Sequence, residues 1–283
     1  MSSETLTLEP FTTHHIAGAH ALTHALAWPH RPEDWALLSS LSTGHVLTDG
    51  QQVLGTALAT PFGRVSMLNM IIVDKSLRGR GFGRQIMARA MADHTPQEWR
   101  LVATSDGLPL YRKLGFVETT EVLQFQGMVT AVAEDAGAVE RAGPDDLDAL
   151  ASLDEEATGM ARRPLLQALL RLGEIRVLRE GARIEAYAAL RSFGRGEVAG
   201  PVIARDGQDA RRLLGSILRD RAGSFLRVDT TVETGLSDWL GRHGLTHVGG
   251  GIAMTLATGT DDPAPDPKAA SHHRFALAAQ ALG

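Results

Sequence analysis

The stretch Ile71-Ile-Val-Asp-Lys-Ser-Leu-Arg-Gly-Arg-Gly-Phe-Gly-Arg-Gln-Ile-Met87 decides how the rest of the chain is read. It opens as part of an apolar run, Met70 to Val73, too short for a helix and rich in β-branching, which predicts a buried strand. A glycine-spaced basic loop follows, Arg78-Gly-Arg-Gly-Phe-Gly-Arg84. Phe82, Ile86, Met87, Ala90 and Met91 then recur at helical spacing. A strand feeding a glycine loop that opens a helix leaves backbone N–H groups without intrahelical partners, and the helix dipole favours an anion there. Gly79, Gly81 and Gly83 let the backbone come close to a phosphate, while Arg78, Arg80 and Arg84 add charge-assisted hydrogen bonds. The pattern reads as a pyrophosphate cradle.

Two other phosphate loops do not fit. The Walker pattern needs Gly-Lys-Ser/Thr, but Gly83 is followed by Arg84-Gln85. The dinucleotide fingerprint needs a glycine three residues after Gly81, where Arg84 stands. What remains is Arg-x-x-Gly-x-Gly at Arg78, Gly81 and Gly83, which resembles the acetyl-CoA loop of the GNAT acetyltransferase superfamily. A second segment, Leu110-Tyr-Arg-Lys-Leu-Gly-Phe116, resembles the helix-and-strand signature of the same superfamily at the expected distance. Together the two motifs cover residues from about 65 to 117. The segment Trp28-Pro-His-Arg-x-x-Asp-Trp35 with Leu123-Gln-x-Gln-Gly127 is similar to a bacterial subgroup carrying two acetyltransferase-like halves.

At 283 residues the chain suits two domains better than one. A net charge of −5 argues against nucleic acid as a partner, and the absence of cysteine removes disulfides and a thiol nucleophile. No signal-peptide pattern or apolar run of membrane length is present, so no membrane association and a cytoplasmic location are expected. No metal site is read from the residues.

In chain order, a strand at Leu6 to Phe11 precedes a helix from His14 to Ala27 and a second helix starting at Pro32. Strands follow at His45 to Thr48, Gln52 to Thr60 and Val65 to Val73. Beyond the cradle come a strand Trp99 to Thr104, a helix Gly107 to Leu114, and Phe116 to Gln126, expected to complete the sheet. Residues 133–137 have linker composition. The plan then repeats, giving an α/β (α+β) tandem fold of two mixed twisted sheets flanked by helices, with domains at 1–130 and 138–283. In the repeat, Arg205-Asp-Gly-Gln-Asp-Ala210 replaces the basic loop and Leu240 falls where Tyr111 stands. Asp206 and Asp209 would repel a phosphate, so the second half is read as lacking acetyl-CoA. It is expected to cover the acceptor cleft, supply acceptor-binding residues, or form a homodimer surface. Asp261 to Pro267 reads as a stiff connector and Ser271 to Leu282 as an amphipathic, helical tail.

The resemblance implies an N-acetyltransferase moving acetyl from acetyl-CoA directly to a primary amine. The pantetheine arm would pair with main-chain groups of Ile71, Ile72 and Val73, and the pyrophosphate with N–H groups from Gly79 through Phe82 to Arg84. Tyr111 is the implied acid, since a phenol near pKa 10 can protonate or hydrogen-bond a leaving thiolate whose acid has a pKa of roughly 8.5. Several members carry a glutamate base eleven residues before the first loop arginine, where this chain has Met67. The remaining base candidates are His30, Glu33, Asp34, or a water held by Ser66 or Asn69. The first two helices wall the acceptor side in this superfamily, which places Trp28, Trp35 and Asn69 as acceptor-pocket candidates. A non-catalytic acyl-CoA sensor is the alternative, and an O-acyl or longer-chain transferase remains open. The acceptor stays open among polyamine, antibiotic, amino acid and protein amine.

Overall fold

The computed structural model describes residues 6–130, 138–259 and 270–283. The linker at 133–137 and the connector at 261–267 lie outside the described residues. The first half runs β1 (Thr7–Pro10), α1 (Ile16–Ala25), α2 (Pro32–Leu41), β2 (Thr43–Thr48), β3 (Val53–Phe62), β4 (Val65–Val73), α3 (Phe82–Ala92), β5 (Glu98–Ala103), α4 (Leu108–Lys113) and β6 (Val117–Met128). Local chemistry sets these bounds. Pro32 occupies the first turn of α2, where a missing N–H costs nothing, and the Asp34 carboxylate accepts the Arg31 backbone N–H at 2.9 Å. Helix α3 buries Ile86 and Ala90 against Leu47 and Ala57, and Met87 against Leu68 and Trp99.

The second half repeats the order with β7 (Glu140–Arg141), α5 (Leu147–Thr158), α6 (Arg163–Leu172), β8 (Gly173–Glu180), β9 (Arg183–Phe193), β10 (Gly196–Ala204), α7 (Gly207–Asp220), β11 (Phe225–Thr231), α8 (Ser237–Arg242) and β12 (Thr246–Ala257). A last strand, β13, spans His273–Ala276.

The two expected sheets are joined into one. Its strand order is β1-β2-β3-β4-β5-β12-β6-β11-β10-β9-β8-β7, with β13 attached to β10. Strand β12 lies antiparallel against β5 and β6, pairing Met254 with Leu101 and Gly251 with Val122. Strand β6 lies antiparallel against β11, pairing Phe125 with Val228. Each half therefore lends its last long strand to the other. Phe116 to Gln126 does not complete the first half's own sheet; both edges of β6 are taken by second-half strands. The close approach is possible because β12 carries Gly250 at φ +151°, where a Cβ would lie 1.8 Å from the Val122 carbonyl oxygen.

Both halves open a gap beside their central strand, and they treat it differently. Strands β4 and β5 pair in parallel only from Val65–Glu98 to Met67–Arg100. Beyond that, Met70 takes φ +48° and kinks β4, its carbonyl accepting a 2.6 Å hydrogen bond from the Thr56 hydroxyl. Strands β10 and β11 pair only at Glu197–Leu226 and Val198–Arg227. There the gap is filled by β13, which pairs Ala276 with Val202 and His273 with Ala204. On its other side the Leu277 N–H donates to the Asp229 carbonyl at 2.8 Å, and the Thr230 hydroxyl to the Phe275 carbonyl at 2.7 Å. The tail expected to be helical is thus a strand. Phe275 to Ala279 are buried one after another, a pattern that suits a segment enclosed on both faces and not an amphipathic helix. Arg162, fully buried, clamps this tail by donating to Asp154 at 2.6 and 2.8 Å and to the Leu282 carbonyl at 3.2 Å.

Candidate active site

The loop after β4 begins with Asp74, whose carboxylate accepts the Ser76 N–H and hydroxyl and turns the chain. Gly79 and Gly81 then adopt φ +74° and +84°, a region that side chains resist, and Gly81 caps α3. No heavy atom would meet a Cβ within 4 Å at either position, so conformation and not crowding selects glycine. Helix α3 opens at Phe82, and Arg78, Arg80 and Arg84 flank its first turn. Arg78 donates to the Val73 carbonyl at 3.3 Å and reaches Asp106 at 3.5 Å, while the Arg80 guanidinium lies 5.4 Å from the Phe82 ring centre.

This loop forms one wall of a cleft of about 770 Å³. The other walls are Ile71, Ile72 and Val73 of β4, Trp28, and Leu110 and Tyr111 of α4. Strand β4 has no β5 partner beyond Met67, so its edge faces this opening. Tyr111 is buried between Gly107 and Phe116, and burial pushes its phenol up to about 12. The two motifs, about thirty residues apart in the chain, meet across one cleft.

A second hollow of about 190 Å³ adjoins it, and the two share Trp28 and Thr104 as walls. His30 and Asn69 line this hollow together with Gln124, Phe193, Arg227 and Gln280. His30 Nδ1 and Asn69 Oδ1 are buried without a hydrogen-bond partner among the described residues. Burial lowers the His30 pKa to about 4; Asp34 opposes the shift, and Arg227 and Arg191 reinforce it. His30 is therefore a neutral ring and a weak base. Asp34 is no base either. Burial would raise its pKa, but hydrogen bonds from Arg31 and the charges of Arg31 and Arg191 hold it low.

Trp35 is not part of this hollow. It is 0 % exposed, stacks on Phe11, and donates its indole N–H to the Thr23 hydroxyl at 3.1 Å. Its place on the buried side of α2 makes it core. Sequence reasoning missed Phe193 and Arg227, which come from the second half. One signal was present: Phe225-Leu-Arg-Val-Asp229 places two opposite charges at alternate positions of an apolar strand, on one face.

Residues 41–118 and 150–265 each match a family model described as an acetyltransferase (GNAT) domain. The uncharacterized N-acetyltransferase YitH of Bacillus subtilis (strain 168) is 28% identical, the match covering 78% of each chain. A candidate acetyltransferase from Pyrococcus horikoshii superposes with a TM-score of 0.79 over 100% of this chain and 98% of its own, at 16% identity. A tandem GNAT protein from the clavulanic acid biosynthesis pathway superposes at 0.61 over 91% and 100%, at 13% identity. The chain belongs to the GNAT acetyltransferases. It is an acyltransferase with two GNAT halves, and the halves differ in the residues at the equivalent loop and gap. At the start of α7 the Asp206 carboxylate accepts the N–H groups of Gln208 and Asp209 at 2.8 and 2.9 Å, so these two amides already have a partner. Asp209 faces Arg205 and Arg212, Leu240 holds the fourth position of α8 as Tyr111 does in α4, and β13 fills the gap. Among the described residues no helix is long and apolar enough to cross a membrane, and no group of three His, Cys, Asp or Glu side chains could hold a metal ion.

Proposed function

We propose that this GNAT protein transfers an acetyl group from acetyl-CoA directly to a primary amine, with acetyl-CoA held by the first half. One observation carries the reading: the loop amides, the unpaired edge of β4 and Tyr111 border a single cleft, and each has lost its counterpart in the second half. Bound acetyl-CoA supplies a thioester, so that the amine nitrogen forms a C–N bond as the C–S bond breaks and one proton passes from nitrogen to sulfur.

The chain's own groups divide the work. The amides from Gly79 to Arg84 take the pyrophosphate, assisted by the arginine charges. Ile71, Ile72 and Val73 offer main-chain groups to the pantetheine arm in the manner of an added strand. Tyr111 stays protonated throughout the physiological range. Full transfer from a phenol at about 12 to a thiolate whose acid has a pKa of roughly 8.5 is uphill by about 5 kcal/mol. Its role is thus a hydrogen bond to sulfur as negative charge develops there.

Calorimetry with acetyl-CoA and an assay of thiol release over an acceptor panel test this together. Arg84→Ala is expected to weaken acetyl-CoA binding about tenfold. Tyr111→Phe is expected to leave binding within about twofold and to lower turnover by about ten- to a hundredfold. Undiminished turnover in Tyr111→Phe removes the phenol from the reaction; acetyl-CoA binding without turnover of any acceptor favours a sensor.

A further inference from the structure

The hollow beside the acetyl-CoA cleft is built from both halves, and its walls carry charge of one sign only. Among the described residues, Arg227 is the one charged residue that lines it, and no aspartate or glutamate does. Arg227 is 7 % exposed and gives Nε and Nη2 to Asp229, at 3.0 and 2.7 Å. The hydrogen bonds described for Arg227 all run from Nε or Nη2 to the Asp229 carboxylate. The Arg191 and Arg227 guanidinium groups each lie over the Phe193 ring, 5.0 Å from its centre. Arg191 shares Asp34 with Arg31, so three guanidinium groups here face two carboxylates, leaving one positive charge in excess. Across the hollow, Asn69 gives its Nδ2 to the Thr60 hydroxyl at 2.8 Å, which turns the unpartnered Oδ1 into a fixed acceptor.

We propose that the acceptor is a small amine carrying a carboxylate, of amino-acid size, with the carboxylate on Arg227 and the amine directed toward Asn69 at the kink of β4. This rests on the acetyl-transfer reading above and adds the acceptor class. The unpartnered Asn69 Oδ1 then accepts an amine N–H, and the Arg227 guanidinium donates to the carboxylate. The volume of about 190 Å³ suits such a molecule and excludes a folded protein surface. A polyamine is disfavoured because its second ammonium would meet a guanidinium and no carboxylate. The surplus charge also bears on the missing base. In solution a neighbouring carboxylate helps to keep an amine protonated; pairing it with Arg227 and surrounding the amine with a positive, water-poor wall favour the neutral, nucleophilic form. An acceptor that has left its ammonium proton in solution and binds as the free amine needs neither His30 nor Asp34 as a base, and the one proton of the transfer passes from nitrogen to sulfur.

The test uses full-length protein saturated with acetyl-CoA and matched sets of acceptors: amino acids, their carboxamides, the decarboxylated amines, and spermidine. The expected result is a kcat/KM for amino acids about tenfold or more above the other three groups. Arg227→Gln should raise KM for the amino acids about tenfold, change the constants for carboxamides much less, and leave acetyl-CoA affinity unchanged. Because this variant strands Asp229, the double variant Arg227→Gln with Asp229→Asn is run beside it, with retained acetyl-CoA binding as the sign of a folded first half. An equilibrium readout needs no turnover: N-acetyl amino acids should bind the CoA-loaded protein more tightly than their amides do. Equal acetylation of amino acids and carboxamides, preferred acetylation of spermidine, or equal losses in both classes on changing Arg227 would overturn the proposal. Those failures all occur with acetyl-CoA still bound. Loss of acetyl-CoA binding in the wild type is a different result and falls on the parent reading.

Discussion

His30 packs edge-on against Phe193 and 5.9 Å from Trp28, with Nδ1 buried and unpartnered, and burial holds its pKa near 4. In the unfolded chain an imidazole titrates near 6.5. Between these values the unfolded chain binds a proton that the folded chain refuses. The stability that His30 contributes is therefore whole above about pH 6.5 and is lost as the pH falls toward 4. His30→Gln should flatten the fall of the denaturation midpoint across that window, by up to about one proton taken up on unfolding. Identical slopes for variant and wild type would show that the ring is not held neutral. Residue identity alone could not separate Trp28 from Trp35, which flank the same proline-broken junction; only packing shows that one faces the clefts and the other faces Phe11.

At the scale of elements, strands and helices of both halves were readable because apolar periodicity and turn residues act locally. Strand partners were not. The pattern of β6 shows a strand but not that its edges belong to β11 and β12, because alternation specifies a face and not a neighbour. The same limit hid β13, whose surroundings are supplied by β10 and β11 some seventy and fifty residues earlier. The exchange has a consequence for stability. Residues 1–130 alone would leave one edge of β5 and both edges of β6 unpaired, with Val122 and Phe125 uncovered. That fragment is expected to show no cooperative unfolding transition until residues 138–283 are added as a second polypeptide. A sharp transition for the isolated fragment would mean that β6 can close its own half.

The whole molecule couples one half that binds acetyl-CoA, on our reading, to another that has closed the equivalent gap with its own chain and contributes Phe193 and Arg227 to the acceptor side. The glycine loop that opens α3 was legible because backbone geometry and glycine spacing are encoded within a dozen residues. The hollow beside it was not, because His30, Asn69 and Arg227 meet only after the halves interlock. The central claim concerns which half holds the cofactor, and a calorimetric titration of the full chain with acetyl-CoA addresses it most directly. The account predicts about one site per chain, abolished by Gly81→Val, since φ +84° admits a β-branched residue only with strain. Two sites per chain, or one site indifferent to Gly81→Val, would contradict it.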